Sequence, residues 1–284
     1  MGHGIAQVSA MAGHEVVMRD IEAEFVESGL SSIETNLEQG VDLGKVSEDE
    51  RDRTLEALST TTDLNTAVDG ADLVIEAIPE DLELKRETFA EVEPQVSDSC
   101  VLATNTSSLS VTAIFRELER PGRAIGLHFF NPVHIMELVE LIVAEETTDQ
   151  TQAFAASFVD SIDRTGAVVQ DYPGFSSSRL AVAIGIEAIR MVQEGVASPE
   201  DIDTTMKLGF NHPMGPLELG DYVGLDTRLS ACEYLHEELG ARFHPPQLLK
   251  RKVRAGKYGR KSGEGFYIWE GDEVVGMSGE WGDR

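Results

Sequence analysis

Short apolar segments alternate with helical segments over the first 170 residues of this 284-residue chain. The segments that predict strands are four to seven residues long and rich in Val, Ile and Leu; they cover residues 14–20, 72–78, 101–104, 124–127, 138–143 and 167–170. Helical patterns separate most of them. This alternation predicts an α/β fold with a doubly wound parallel sheet. In that architecture, ligands bind beyond the carboxyl ends of the strands.

The pattern changes after residue 170, where the strand signals stop. The apolar stretch at residues 178–195 predicts a long helix, and no further strand is predicted before residues 265–269. We therefore predict two domains, an α/β domain at residues 1–170 and a mostly helical domain at residues 171–284.

The connection after the first predicted strand is longer than an ordinary crossover. Residues 22–58 are polar and helical, with a predicted break at residues 40–44. Ser47 followed by Glu50 predicts a capping box at the start of the second helix. We interpret this segment as a helical hairpin inserted in the α/β domain.

The first residues of the chain match the second half of a dinucleotide-binding fingerprint. The chain opens at Met1 within a predicted helix, with Gly13 as its C-terminal cap, and the strand that follows ends at Asp20. An acid at that position accepts hydrogen bonds from the adenosine ribose. The strand and the two glycines that open the fingerprint are missing from the sequence. We therefore expect the natural chain to begin upstream, with the first strand of the sheet.

A histidine and a glutamate stand out within two apolar segments. His128 ends one such segment, and Glu140 lies twelve residues later inside another. A lone carboxylate in an apolar segment is costly to bury without a partner. Paired with His128, it would fix the tautomer of the ring and leave the other ring nitrogen as a base. A core histidine beside an unrelated edge-strand glutamate is the alternative.

Several polar residues follow the predicted strands directly. They lie where a doubly wound fold binds its ligand, and they are Glu80, Lys85, Asn105, Ser107 and His128. We therefore expect these side chains to line one site. Metal binding is not supported, because the histidines lack the spacing of metal ligands.

Charge and composition exclude several classes of protein. With 51 acidic and 23 basic residues, the formal net charge is −28, and nucleic acid needs a basic face that this chain lacks. No apolar segment approaches the ~18 residues of a membrane span, and the residues of this sequence predict no signal peptide. Cys100 and Cys232 have no metal-ligand spacing. We predict a cytoplasmic protein with free thiols.

Eight motifs in fixed order carry a resemblance to a known family. They are Met-Gly-His-Gly-Ile-Ala-Gln at residues 1–7, Glu-Ala-Ile-Pro-Glu at 76–80 with Lys85, Thr-Asn-Thr-Ser-Ser-Leu at 104–109, His-Phe-Phe-Asn-Pro-Val at 128–133, Leu-Val-Glu at 138–140, Pro-Gly-Phe at 173–175, Pro-Met-Gly-Pro-Leu-Glu-Leu-Gly-Asp-Tyr-Val-Gly-Leu-Asp at 213–226, and Arg-Lys-Ser-Gly-Glu-Gly-Phe-Tyr at 260–267. From residue 1 to about residue 269, the chain resembles the L-3-hydroxyacyl-CoA dehydrogenase family, particularly its short-chain 3-hydroxybutyryl-CoA members.

The resemblance implies NAD-dependent oxidation of (S)-3-hydroxyacyl-CoA to 3-oxoacyl-CoA, in fatty-acid β-oxidation or butanoate metabolism. His128 would be the general base that takes the 3-hydroxyl proton, and Glu140 would orient it. Ser107 and Asn131 would hold the hydroxyl or thioester oxygens. The family commonly has an asparagine where this chain has Ser178, which would contact the thioester with a shorter reach.

The resemblance also implies a Rossmann-type cofactor site and a partner. Asp20 would bind the ribose and favour NAD over NADP, and Gly2 is the remaining glycine of the fingerprint. Glu80, Lys85 and Asn105 would line the ribose and nicotinamide end. We expect a homodimer formed through the C-terminal domain. Among the few lysines, Lys45 is a guess for a contact with the coenzyme A phosphates.

Two other functions compete with the dehydrogenase. A serine hydrolase could use Ser107 and His128, but no Gly-x-Ser-x-Gly elbow surrounds any serine. A non-catalytic dinucleotide- or acyl-CoA-binding derivative of the family is the other alternative, because the sequence lacks the first half of the fingerprint. The intact His128 and Glu140 argue against it.

The acidic surface generates a prediction about salt. Self-repulsion of like charges destabilises a compact state, and at molar salt the screening length falls to about 3 Å. If the surface is an adaptation to a salt-rich cytoplasm, the melting temperature should rise between low salt and molar KCl, as followed by circular dichroism. A melting temperature that stays constant or falls would identify an ordinary acidic protein.

Overall fold

The computed structural model describes residues 1–279, which fold into two compact units divided between Tyr172 and Pro173. None of the helices in these residues is long and apolar enough to cross a membrane.

The first unit opens with a helix, a strand and a helical hairpin. Helix α1 spans Gly2–Met11, strand β1 spans Val16–Arg19, and the hairpin consists of α2 (Ala23–Asp42) and α3 (Glu48–Glu56). Both hydrogen bonds of a capping box are present at the start of α3, because Ser47 accepts from the Glu50 amide and Glu50 accepts from the Ser47 amide.

Strands and helices alternate through the rest of this unit. The elements in chain order are β2 (Leu58–Thr61), α4 (Leu64–Val68), β3 (Leu73–Glu76), α5 (Leu82–Val92), β4 (Val101–Thr104), α6 (Val111–Phe115), β5 (Ala124–Phe129), β6 (Leu138–Val143), α7 (Asp149–Ser161) and β7 (Thr165–Gln170). Strands β3 to β7 form one sheet in that order. Strands β4, β5 and β6 are almost fully buried, since helices α1 and α7 pack on the sheet through residues such as Ile5 and Val159.

One strand departs from the expected parallel sheet. Strand β6 runs antiparallel to β5, whereas β3, β4 and β5 are mutually parallel and β6 is parallel to β7. A parallel crossover needs about a dozen residues or more. Only the short segment between Phe129 and Leu138 joins β5 to β6, so the chain can return only in the opposite direction.

Strands β1 and β2 form a separate two-stranded parallel sheet, with Val16 opposite Leu58. Within residues 1–279, no strand pairs with the second edge of β1 or with the outer edge of β3. The sequence analysis did not predict β2, whose residues Leu-Ser-Thr-Thr lack an apolar run. The expected first strand upstream of residue 1 stays a prediction.

The second unit is mainly helical and ends in a β-hairpin. Its elements are α8 (Ser177–Glu194), α9 (Pro199–Thr204), a π-helix (Thr205–Gly209), α10 (Pro216–Val223), α11 (Leu225–Leu239), α12 (Gln247–Arg254), β8 (Tyr267–Glu270) and β9 (Glu273–Met277). Strand β9 was not predicted from the sequence. The core of this unit lies between the helices and the hairpin, around Ile186, Leu217, Leu225, Leu249 and Phe266.

A buried carboxylate joins the hairpin to the helices. Asp221 on α10 is fully buried and accepts hydrogen bonds from the amides of Phe266 and Tyr267 and from Nε1 of Trp269. Burial raises its pKa, although these three donors oppose the shift. A Cβ at Gly265 would lie 2.2 Å from the Asp221 carboxylate, so only glycine allows this approach.

Candidate active site

The antiparallel pairing of β5 and β6 places His128 directly opposite Glu140. Residues opposite each other in such a pair project to the same face of the sheet. Nδ1 of His128 lies 2.9 Å from Oε2 of Glu140, and the side chains are 7% and 1% exposed. Because an ionised carboxylate can only accept, Nδ1 carries the proton of this hydrogen bond. In a neutral ring, Nε2 is then the atom that can take up a proton.

Asn105 supports the strand that carries the histidine. It follows β4 directly, and its Oδ1 accepts a hydrogen bond of 2.8 Å from the Phe129 amide. Its own amide donates to the carbonyl of Glu76 at the end of β3. The Asn105 side chain is buried, and its Oδ1 connects the end of β4 to the end of β5.

Glu80 fixes the loop that follows β4. One carboxylate oxygen, Oε1, accepts from the Thr106 hydroxyl at 2.7 Å and from the amides of Ser107 and Ser108 at 2.9 Å each. Burial raises the pKa of Glu80, but these donors and the Lys85 ammonium outweigh it, so the pKa lies below its ordinary value. The Ser107 side chain on this loop is exposed to solvent.

Lys85 is one of the most buried residues of the chain. Its side chain is 1% exposed, and its Nζ donates to Oε1 of Glu76 at 2.6 Å and lies 3.5 Å from Oε2 of Glu80. The sequence analysis missed Glu76. The signal that singled out Glu140, a lone carboxylate inside an apolar segment, was equally present in residues 72–78.

Asn131 lies in the loop between β5 and β6 and lines a cavity of about 470 Å³. His3 and His134 line the same cavity, together with hydroxyl groups from α2. Burial lowers the pKa of both histidines. This cavity is lined by the loop that follows β5, the strand that carries His128.

The start of α1 and the end of β1 fit a dinucleotide. Helix α1 begins at Gly2, where a Cβ would lie 3.7 Å from Cβ of Ala77 just after β3, and β1 ends just before Asp20. A helix N-terminus suits a pyrophosphate, and the exposed Asp20 carboxylate suits a ribose. Gly4 was not predicted: a Cβ there would lie 2.9 Å from Cβ of Val133, so glycine allows the helix to approach the loop after β5.

Two predicted residues lie outside this group. Ser178 is half-buried in α8 of the second unit, whereas the other predicted site residues belong to the first unit. Lys45 is exposed in the turn between α2 and α3.

Comparison with known proteins covers both units. A profile of the NAD-binding domain of 3-hydroxyacyl-CoA dehydrogenase matches residues 1–172, and a profile of the C-terminal domain of the same enzyme matches residues 174–269. The chain is 44% identical over 268 residues to a probable 3-hydroxybutyryl-CoA dehydrogenase of Deinococcus radiodurans. These residues make up 94% of this chain and 96% of the relative.

A second curated relative and a crystal structure agree with this match. A probable 3-hydroxybutyryl-CoA dehydrogenase of Bacillus subtilis is 44% identical over 271 residues, or 95% of this chain and 94% of the relative. The crystal structure of (S)-3-hydroxybutyryl-CoA dehydrogenase from Ralstonia eutropha has a TM-score of 0.91 at 38% identity, covering 95% of each chain.

Proposed function

The chain belongs to the 3-hydroxyacyl-CoA dehydrogenase family, and on this premise we propose that it oxidises short-chain (S)-3-hydroxyacyl-CoA thioesters such as 3-hydroxybutyryl-CoA. Family membership confirms the predicted Rossmann-type fold, the NAD-binding domain and the NAD-dependent dehydrogenase activity. When bound, NAD supplies the hydride acceptor. The observation that carries the proposal is the buried pair of His128 and Glu140 at the carboxyl end of β5.

His128 takes the proton of the 3-hydroxyl group in this proposal. An alcohol becomes a carbonyl only if its proton is removed as the hydride leaves, so a base must lie next to the hydroxyl. Protonation at Nε2 makes the ring a cation, and the Glu140 carboxylate at 2.9 Å stabilises that cation. The low exposure of both side chains strengthens this attraction, because water is largely excluded.

The substrate oxygens require hydrogen-bond donors. Ser107 on the loop after β4 and Asn131 on the loop after β5 can donate to the hydroxyl or thioester oxygen. The contact of Ser178 with the thioester stays a prediction from the sequence. The polar cavity beside Asn131 offers further hydroxyl groups to the substrate.

The cofactor contacts divide into direct and indirect ones. Asp20 binds the ribose, and the helix that begins at Gly2 binds the pyrophosphate. Glu80 lines the nicotinamide end with its half-exposed carboxylate. Lys85 and Asn105 are buried, and we propose that they act on the cofactor through the residues that they hold.

We further propose a homodimer formed through the second unit, in the cytoplasm, with a role in fatty-acid oxidation. Large apolar side chains of this unit remain exposed, including Leu180 at 60%, Leu208 at 83% and Phe210 at 69%. A subunit contact that covered these side chains would remove apolar surface from water, which is favourable and supports the proposal.

The function is tested by following NADH absorbance after addition of acetoacetyl-CoA, which measures the reaction in reverse. Loss of absorbance that depends on both compounds is expected. Release of free thiol without NADH oxidation would identify a hydrolase instead. Binding of NADH without turnover would identify a non-catalytic member of the family.

The proton-transfer pair gives a prediction for two variants. His128→Gln and Glu140→Gln should each lower kcat while leaving NADH affinity nearly unchanged, because both residues act on the proton. Loss of a general base reduces turnover by about 10²–10⁴-fold. His14→Gln is a matched control, since His14 also bonds a side chain of this unit, Ser161, at 2.8 Å. Near-normal kcat in His128→Gln would remove the pair from the mechanism.

Asp20 gives a prediction about cofactor preference. A carboxylate after β1 accepts ribose hydroxyls and repels a 2′-phosphate, so NADH should be preferred over NADPH. In Asp20→Ser, the ratio of kcat/KM for NADH to kcat/KM for NADPH should move closer to one. Asp69→Ser removes the same charge from an exposed position before β3 and should leave the ratio unchanged. Equal use of both cofactors by the unchanged protein would contradict this role.

A further inference from the structure

Glu76 is a buried carboxylate at the last position of β3 whose role the proposed reaction does not explain. Its Oε1 accepts from the Lys85 ammonium and from the Ile78 amide, at 2.6 Å each. Its Oε2 accepts from the Thr104 hydroxyl at 2.7 Å. The carboxylate therefore ties together the end of β3, the end of β4 and helix α5.

Lys85 carries this connection to a second carboxylate. Its ammonium lies between Oε1 of Glu76, at 2.6 Å, and Oε2 of Glu80, at 3.5 Å. A lysine that is 1% exposed needs a counterion, and Glu76 is the nearer of the two and is itself only 3% exposed. Glu76 thus fixes the ammonium group within the fold.

Glu80 connects Lys85 to the loop after β4. With Oε2 directed at Lys85, its Oε1 faces the loop and accepts from Thr106, Ser107 and Ser108. The chain of contacts runs from Glu76 through Lys85 and Glu80 to the backbone of Ser107. The backbone carbonyl of Glu76 also accepts a hydrogen bond from the Asn105 amide. The main chain and the side chain of Glu76 therefore both hold this loop.

We propose that Glu76 is a positioning residue, which holds Lys85 so that Glu80 can fix the Ser107 loop for the reaction. This inference rests on the proposed function, in which Ser107 and Glu80 contact the substrate and the cofactor. Glu76 itself touches neither and acts through Lys85.

The conservative variant Glu76→Gln removes the negative charge of residue 76 and keeps the size of the side chain. A glutamine can still accept from Ile78 and donate to the Thr104 hydroxyl, so the local hydrogen bonds can be kept. The Lys85 ammonium is then left with Glu80 as its remaining carboxylate and draws it away from the loop. We expect kcat/KM for acetoacetyl-CoA to fall by about 10- to 100-fold. We also expect faster amide hydrogen exchange at Ser107 and Ser108, a readout that needs no activity.

A double-mutant cycle with Lys85→Met separates positioning from general stability. If Glu76 acts through Lys85, adding Glu76→Gln to Lys85→Met should change kcat/KM and exchange by less than about threefold. An equal loss in both backgrounds, or unchanged exchange and kcat/KM in Glu76→Gln, would overturn the proposal. If the unchanged protein fails to oxidise NADH, the proposed function falls, while the exchange measurement still decides the role of Glu76.

Glu93→Gln is the matched control. Glu93 is a carboxylate with a side chain 11% exposed, paired with Arg123 at 3.3 Å, but it lies before β4 in the chain and, among residues 1–279, makes no hydrogen bond to the loop after that strand. It also accepts from the amides of Glu119 and Arg120. This variant should lower the melting temperature without accelerating exchange at Ser107 and Ser108. Acceleration equal to that in Glu76→Gln would show that the exchange reports global stability alone.

Discussion

The reversal of the chain between β5 and β6 determines the chemistry of the site. A residue on an antiparallel pair faces one partner directly, and here that register places His128 opposite Glu140 in the interior of a five-stranded sheet. A parallel continuation would have put a crossover helix between the two residues. The hydrogen bond of 2.9 Å is therefore a consequence of a short loop and a strand register. Rigid strands hold both side chains, so the pair is oriented before any substrate arrives.

Buried carboxylates hold distant segments of this fold together at several places. Glu140, Glu76 and Asp221 are each at most 5% exposed, and each joins segments that are distant in sequence. Their partners differ, and the difference separates their tasks. Asp221 accepts only neutral N–H groups, which suits a fixed structural junction. Glu140 faces a group that gains a charge during the reaction. Glu76 faces the Lys85 amino group, which also lies 3.5 Å from Glu80 at the site.

Much of the first unit could be predicted because periodicity reports burial. Strands β3 to β7 follow apolar segments, and Glu140 stood out because a charge inside such a segment needs a partner. Three features could not be found in this way. Strand β2 has the sequence Leu-Ser-Thr-Thr, which contains no apolar run. The direction of β6 depends on loop length rather than on side chains. Glu76 carried the same signal as Glu140, but the sequence does not show which cation it pairs with, so its contact with Lys85 required the three-dimensional structure.

The distribution of charge separates the response of the surface from that of the site. Most of the 51 acidic residues lie outside the core, where salt screens their mutual repulsion. The buried acids interact within hydrogen-bond distance and are screened much less, because counterions cannot approach them. Salt should therefore change the stability of the whole protein more than the geometry of the pair between His128 and Glu140. Ionic strength therefore acts on the repulsion between surface carboxylates, while the buried residues keep the arrangement on which proton transfer depends.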